Sequence, residues 1–195
     1  MTMATKDDAD VIAFPSAKEW ARWLAINHTC SKGVWLRFFK KAAGTASVNH
    51  AEALAVALCY GWIDGQLKKH DEESWLRKFT PRRPKSIWSK RNRELVEKLA
   101  RARKMKPAGL KEMAAAKADG RWARAYDSPS KMTVPPDFLE ELAKNKNARL
   151  FFKTLRKANI YAIAWRLQTA KKPETRGKRM KAIIAMLAEG QAFHE

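Results

Sequence analysis

The sequence predicts an α+β fold: a small mixed α/β N-terminal part with a β-hairpin and several helices, followed by an all-helical C-terminal part. Segments rich in β-forming residues occur only before residue 82, and from residue 137 onward apolar residues recur at helical spacing. A stretch rich in Pro and Ser separates the two parts. We therefore predict an α+β domain over residues 8–126, a linker over residues 127–136 and a helical domain over residues 137–190.

The first elements alternate between strands and helices. "DVIAF" predicts a short strand, and Ser16 with Glu19 three residues later has the spacing of a capping box at the start of a helix. "GVWLRFFKK" predicts a second strand. From Asn49 the apolar residues return to helical spacing, and this helix is expected to end near Gly61.

A hairpin follows, because "GWIDGQLKKHDEESWLRKF" contains two alternating arms around the acidic turn "HDEES". Pro81 and Pro84 exclude a helix between them and favour an extended backbone. We expect the next helix to begin at Ser86 or Ser89 and to end near Lys104.

The remaining segments are helical in pattern. Pro107 and Gly120 are placed to begin and end one helix. In the C-terminal part, four helices are predicted in "PPDFLEELAKN", "ARLFFKTL", "ANIYAIAWRLQTA" and "KPETRGKRMKAIIAMLAEG".

Composition limits the class of protein. Cys30 and Cys59 are too few and too far apart for a disulfide framework or a zinc site. No secretory signal and no apolar run long enough to cross a membrane is visible, so a cytoplasmic protein is expected. The net charge of +20 predicts attraction to an anionic partner, namely nucleic acid, anionic lipid or an acidic protein.

More than half of this charge is concentrated in one window. Residues 77–106 contain thirteen basic and two acidic residues, a balance of +11. The basic residues of the predicted helix avoid its apolar face and are expected to form one exposed patch, consisting of Lys90, Arg91, Arg93, Lys98 and Arg101. Solvation alone also explains such a face, and no motif for sequence-specific reading of nucleic acid accompanies it.

The stretch "FTPRRPKSIWSKRN" suggests a second, more localised anion site. Flanking prolines restrict Arg82 and Arg83, and a guanidinium group fits carboxylate or phosphate. A helix starting nearby would add its free N–H groups. The candidate residues of the site are Trp62, Asp64, Arg82, Arg83, Ser86, Trp88 and Ser89. An internal pair between an arginine and Asp64 or Asp71 would explain the motif without any ligand.

Catalytic signals are absent from the sequence. No nucleophile motif, phosphate-binding loop, dinucleotide-binding motif or metal-ligand spacing occurs, so neither a metal nor another cofactor is predicted. His70 beside Asp71 is the nearest approach to a general base, and an exposed turn histidine explains it equally well. Whether the protein is an enzyme stays open, with a non-enzymatic protein favoured.

Four motifs in order resemble one bacterial family. "ALCYGWIDG", "FTPRRPKSIWSKRN", "MKPAGL" and "AKKPETRGKRMKAIIAMLAEG" are similar to the YdeI/OmpD-associated (OmdA-like) proteins, described as bacteriocin-protection proteins. The resemblance extends from Val11 to Gly190. Its C-terminal signature comprises Lys172, Thr175, Arg176 and Arg179. The resemblance implies a role in resistance to bacteriocins or antimicrobial peptides and an association, direct or indirect, with an outer-membrane porin.

Three functions therefore remain as expectations. The first is a non-enzymatic stress-protection protein that binds an anionic partner through its basic residues. The second is a small-ligand-binding protein or enzyme with an anion pocket around Asp64, Arg82 and Arg83. The third is a partner-docking module that uses apolar surface on the C-terminal helices, through Phe151, Phe152, Trp165 or Phe193, although these residues are also candidates for the core.

Overall fold

The computed structural model describes residues 9–128 and 131–194, and it has the mixed α+β fold that the sequence predicts. The described residues form two units. One extends to Trp88 and includes Asn92–Arg124, and the other consists of Ser89–Arg91 and the chain from Ala125 onward. Asp8 at the start of the predicted α+β domain, and Pro129 and Ser130 of the predicted linker, lie outside the described residues.

Four strands of the N-terminal unit form one sheet. They are β1 (Val11–Ala13), β2 (Val34–Phe39), β3 (Trp62–Lys69) and β4 (Ser74–Pro81). Their order in the sheet is β1-β2-β4-β3, with β1 parallel to β2 and the other pairs antiparallel. The predicted hairpin is β3–β4, and a register shift between Asp64 and Leu67 marks an irregularity in β3.

Two helices complete the core on one face of this sheet. They are α1 (Ala17–Asn27) and α2 (His50–Cys59), and a 3₁₀ turn covers Lys41–Ala43. Ser16 caps α1 through the amide of Glu19, and Asn49 with Glu52 forms a complete capping box on α2. The core that these helices share with the strands contains Phe14, Trp20, Leu24, Val34, Leu36, Phe38, Val48, Ala53, Ala57, Trp62 and Phe79.

The next helix begins directly after Ser89, the later of the two predicted starts, and ends at Arg101, before the predicted Lys104. Helix α3 spans Lys90–Arg101, so Ser86 lies before it in an irregular segment. Two arginines hold this segment by its carbonyl groups: Arg82 donates to Ile87, and Arg121 donates to Ser86. Side chains thus satisfy backbone acceptors in this segment in place of helical hydrogen bonds, which explains why the helix begins after Ser89 and not at Ser86.

Helix α4 (Pro107–Ala118) lies unusually close to α2. A methyl group added to Gly109 would stand 2.3 Å from the carbonyl oxygen of Cys59 and 2.7 Å from that of Leu58. Gly61, at φ +74°, follows the end of α2, and a methyl group added to it would come into tight contact with the carbonyl oxygen of Ala108. The two glycines therefore permit the backbones to approach where side chains would separate them.

The C-terminal unit contains the four predicted helices. They are α5 (Pro136–Ala143), α6 (Lys146–Phe152), α7 (Lys157–Gln168) and α8 (Pro173–Ala188). Their core consists of Phe138, Leu142, Ala148, Ile163, Leu167, Ile183 and Leu187, against which Phe151, Phe152 and Phe193 pack. Within residues 9–128 and 131–194, no helix has both the length and the apolar character of a membrane span.

Candidate functional site

A basic pocket lies at one end of the sheet in the N-terminal unit. Its volume is about 570 Å³. It is lined by Lys32, Gly65, Gln66, Lys78, Thr80, Pro81, Arg82, Arg83 and Pro84. We call it the basic pocket below.

The strand register brings these distant residues together. Val34 pairs with Phe79 in the antiparallel β2–β4 ladder, which places Lys32, two residues before Val34, beside the end of β4. Gly33 allows the close approach, since a methyl group there would lie 2.8 Å from the Thr80 methyl carbon and 3.0 Å from the Phe79 carbonyl oxygen. Gly65 enters the lining at the irregularity of β3.

Arg82 forms a rigid part of the pocket wall. Its residue surface is only 7% exposed, and its guanidinium carbon lies 3.7 Å from the centre of the Trp88 ring. One nitrogen of the same group donates to the carbonyl of Ile87 at 2.9 Å. Trp88 is itself buried against Trp122, at a centroid distance of 5.0 Å. The stack fixes the plane of the guanidinium before any ligand arrives.

Arg83 is exposed and is carried by a tight turn. The amide of Ser86 donates to the carbonyl of Arg83 at 3.0 Å, with Pro84 at the second position and Lys85 at φ +64° at the third. Proline followed by a positive φ is the pattern of a type II turn, which usually has glycine at the third position. The restricted φ of Pro84 and the hydrogen bond fix the place from which the Arg83 side chain extends.

The lining of the pocket is cationic. Lys32, Lys78, Arg82 and Arg83 contribute positive charge, and in the part of the chain that the structure describes no acidic residue lines the pocket. Thr80 and Gln66 add neutral hydrogen-bond donors. Convergent donors of positive charge around a concave surface favour an anion, and guanidinium groups fit the oxygen geometry of phosphate and carboxylate.

Asp64 lies outside this lining and has other partners. Its carboxylate is 3.0 Å from Nε2 of His50 and 3.4 Å from Nε of Arg77. Burial by itself would raise the pKa of Asp64, but the hydrogen bond with His50 and the charge of Arg77 outweigh it and hold the pKa below 3.8. The Asp71 carboxylate is likewise held by Ser74 and Arg37. The structure thus pairs these acids with residues other than Arg82 and Arg83.

Four further candidate residues are engaged in contacts within the protein and do not line the pocket. Trp62 is a core residue, and its indole donates to the carbonyl of His28 at 3.1 Å. The Trp88 ring stacks against the Arg82 guanidinium. The carbonyl of Ser86 accepts a hydrogen bond from Arg121, and Ser89 forms an isolated β-bridge with Tyr126. The amide of Lys90 donates to the carbonyl of Tyr126, so this N–H at the start of α3 is already used. Of the seven candidates, Arg82 and Arg83 are the two that line the pocket.

The basic residues of α3 differ in their surroundings. Lys90 pairs with Asp127 at 2.8 Å, and its hydrogen bond, followed by that of Gln168, lowers the pKa of Asp127. Arg93 donates to the carbonyl of Trp122. Arg91, Lys98 and Arg101 are exposed. The predicted patch therefore contains three exposed cations and two that the chain itself uses.

The four residues of the C-terminal signature differ in their contacts: two are exposed, and two bind other helices. Lys172 and Thr175 are exposed at the start of α8. Arg176 forms a two-point ion pair with Asp137 at the start of α5. Arg179 donates to the carbonyl of Arg166 in α7 at 2.7 Å. Two signature residues thus join helices within the C-terminal unit.

Four residues of these two sites are not predicted from the sequence: Lys32, Lys78, His50 and Arg77. The first two enter the basic pocket only through the pairing of β2 with β4, which no local pattern specifies. His50 was identifiable as the first residue of α2, because Asn49 and Glu52 have capping-box spacing. Its meeting with Asp64, however, depends on how α2 packs against β3.

Comparisons with known proteins divide the chain into two family matches. Residues 12–112, about half of the chain, match the model described as "Domain of unknown function (DUF8412)". Residues 131–190 match the OmdA model, described as "Bacteriocin-protection, YdeI or OmpD-Associated". No curated protein and no solved structure matches the chain. The resemblance inferred across Val11 to Gly190 is thus confirmed in its C-terminal motif, whereas the N-terminal motifs fall within a different model. The chain therefore belongs to the DUF8412 family over residues 12–112 and carries, at residues 131–190, a domain of the bacteriocin-protection, YdeI or OmpD-associated family.

Proposed function

We propose that this protein is a non-enzymatic binding protein that holds the phosphate groups of an anionic partner in the basic pocket. The observation that carries this proposal is the lining itself: four cationic side chains surround about 570 Å³, and none of the described residues that line it is acidic. A net charge of +20 adds long-range attraction to the same kind of partner.

Phosphate suits the pocket better than a single carboxylate does. The stacked guanidinium of Arg82 presents a planar fork of fixed orientation, while Lys32 and Arg83 are exposed and can adjust to the ligand. Thr80 and Gln66 can donate to the remaining oxygens. The volume exceeds that of one phosphate and lies in the range of nucleotide-sized ligands.

Among phosphate-bearing partners we favour a single-stranded nucleic acid bound through its backbone. Among residues 9–128 and 131–194, no aromatic side chain lines the pocket as a platform for base stacking, so the recognition we propose is independent of base sequence. The exposed Lys98 and Arg101 of α3 would add a weaker, non-specific contribution to the attraction.

The proposal also bears on the family description. A protein of charge +20 repels cationic peptides, so direct sequestration of bacteriocins is disfavoured. We propose that any protection, like any association with an outer-membrane porin, is indirect and acts through an anionic partner in the cytoplasm.

The test is a salt titration of binding to a labelled single-stranded oligonucleotide of about 12 nucleotides, followed by fluorescence anisotropy. If four cations contact phosphates, log K falls with log salt at a slope of about −3. The double variant Lys32→Gln/Arg83→Gln should reduce the slope to about −1.5 and weaken binding about 20-fold near 0.1 M salt. Both residues are exposed, so the fold should persist.

The matched control is Lys98→Gln/Arg101→Gln, which removes the same charge from an exposed helix in the same unit. It should leave the slope near its original value. Equal losses in the two variants would show that only net charge matters, and the pocket would then have no special role. A mononucleotide that binds as tightly as the oligonucleotide would favour a small-ligand-binding protein instead.

A further inference from the structure

A second cavity lies within the C-terminal unit and combines an apolar wall with two arginines. Its volume is about 360 Å³. Helix α7 contributes Trp165 and Arg166, α8 contributes Arg179, Ile183 and Met186, and the chain after α8 contributes Phe193. We call it the Trp165 pocket.

The wall formed by Phe193 is held in place by a buried asparagine. Asn159 is only 4% exposed, donates to the carbonyl of His194 at 3.0 Å and accepts from the amide of His194 at 2.9 Å. These two bonds fix the backbone next to Phe193. The Arg166 guanidinium then lies 3.8 Å from the centre of the Phe193 ring. Hydrogen bonds and ring stacking therefore hold the C-terminal segment in place as one wall of the cavity.

The charges of the pocket are not neutralised by the described chain. Among residues 9–128 and 131–194, no carboxylate lies within 4.0 Å of Arg166 or Arg179. Both guanidinium groups donate to backbone carbonyls through one nitrogen, Arg166 to Ala162 and Arg179 to Arg166. Each therefore retains donors that can reach an anion.

We propose that the Trp165 pocket binds a monocarboxylate that carries a single aromatic or branched apolar group. The carboxylate meets the guanidinium groups of Arg166 and Arg179, and the apolar group packs against Trp165, Met186 and Phe193. Inorganic phosphate would satisfy the arginines but leave the apolar wall uncovered. The volume limits the ligand to about 10–15 non-hydrogen atoms.

The inference is independent of the basic pocket, because all the residues concerned lie in the C-terminal unit. A ligand of this size in such a pocket should bind with a dissociation constant on the order of 0.1–1 mM. The experiment is calorimetric titration of the full chain with 4-phenylbutyrate. The uncharged 4-phenylbutanol probes the apolar wall alone. Inorganic phosphate probes the charge alone, and it is titrated into the Lys32→Gln/Arg83→Gln chain so that the basic pocket contributes little to the signal.

Binding of 4-phenylbutyrate at least about tenfold tighter than either probe is the expected result. Arg179→Gln should weaken it about tenfold or more, and Lys181→Gln, which removes the same charge from an exposed position of α8, should not. Ala182→Trp, at an exposed position on the pocket rim, should fill the pocket and abolish binding while circular dichroism stays unchanged. Equal binding of 4-phenylbutanol, equal losses in Arg179→Gln and Lys181→Gln, or retention of binding in Ala182→Trp would each overturn the proposal.

Discussion

Replacing Gly109 by alanine tests the packing of α4 against α2. Alanine forms helices better than glycine by about 1 kcal/mol, so from helix propensity alone this change should stabilise the protein. The structure predicts the reverse. The new methyl carbon would lie 2.3 Å from one carbonyl oxygen and 2.7 Å from another, and both belong to backbone that cannot rotate away.

The expected magnitude follows from these two opposing terms. Relief of the contacts requires α4 to move by about 1 Å, which also disturbs the bond from the Lys106 amide to the Cys59 carbonyl. Overpacking of this kind costs about 1–3 kcal/mol and occasionally more, and direct backbone contact places Gly109 at the upper end. After the gain in propensity, we expect a net loss of about 2 kcal/mol in the free energy of unfolding, or roughly 5–10 °C in Tm.

The assay is urea denaturation followed by tryptophan emission. Every tryptophan except Trp165 lies in the N-terminal unit, so emission reports mainly on the unit that contains Gly109. The matched control is Gly177→Ala in α8, where nothing lies within 4 Å of the added methyl group. Far-ultraviolet circular dichroism should show stabilisation there by about 0.5–1 kcal/mol. A Gly109→Ala variant as stable as the original chain would refute the close packing of α4 on α2.

Two further predictions concern charged residues of the N-terminal unit. Asp64→Asn should lower the free energy of unfolding by about 1–2 kcal/mol at neutral pH, because it weakens the contacts with His50 and Arg77. Since the pKa of Asp64 is lower in the folded chain than its ordinary value of 3.8, this contribution is complete above about pH 4 and is lost as the pH falls through the lowered pKa. The difference in urea midpoint between the two proteins should therefore shrink below about pH 4, and a constant difference would contradict the assignment. Arg82→Lys should cost about 1–2 kcal/mol, because an ammonium group cannot stack on Trp88 as a guanidinium does, and an unchanged midpoint would contradict that role.

Much of the fold could be predicted because its signals are local. The caps at Ser16 and Asn49 are set by residues three positions apart, and the hairpin by alternation on either side of an acidic turn. The start of α3 was predicted only as one of two serines, Ser86 or Ser89, and the structure has the later one. Serine at residue 86 has the chemistry of a cap, but Arg121, 35 residues later, binds the Ser86 carbonyl and helps keep the segment out of the helix. A distant donor thus outweighed a local preference.

The candidate site likewise contains residues that a local signal identifies and residues that only the tertiary structure brings in. Arg82 and Arg83 stand out locally because prolines flank them, whereas Lys32 reaches the pocket through a strand ladder and a glycine that permits close approach. Pairing between distant strands depends on burial across the whole sheet, so one sequence does not specify which lysines converge. Asp64 shows the opposite case: its proximity in sequence suggested Arg82 or Arg83 as its partner, and the structure gives it His50 from α2 and Arg77 from β4 instead.

The two adjacent arginines in "PRRP" differ in their surroundings, and the proline after Arg83 gives a reason, because it favours an extended backbone at the preceding residue. Successive side chains of an extended chain point to opposite sides, so one guanidinium turns inward and the other outward. The inward side offers Trp88 and the carbonyl of Ile87, which hold the Arg82 guanidinium in a buried position at the edge of the pocket. The outward side leaves Arg83 in solvent on a proline turn, and none of the ion pairs among the described residues involves it. A fixed cation beside an adjustable one is an arrangement that orients an anion and still admits it, which is why we propose the binding role for Arg82 and Arg83 rather than for the exposed cations of α3.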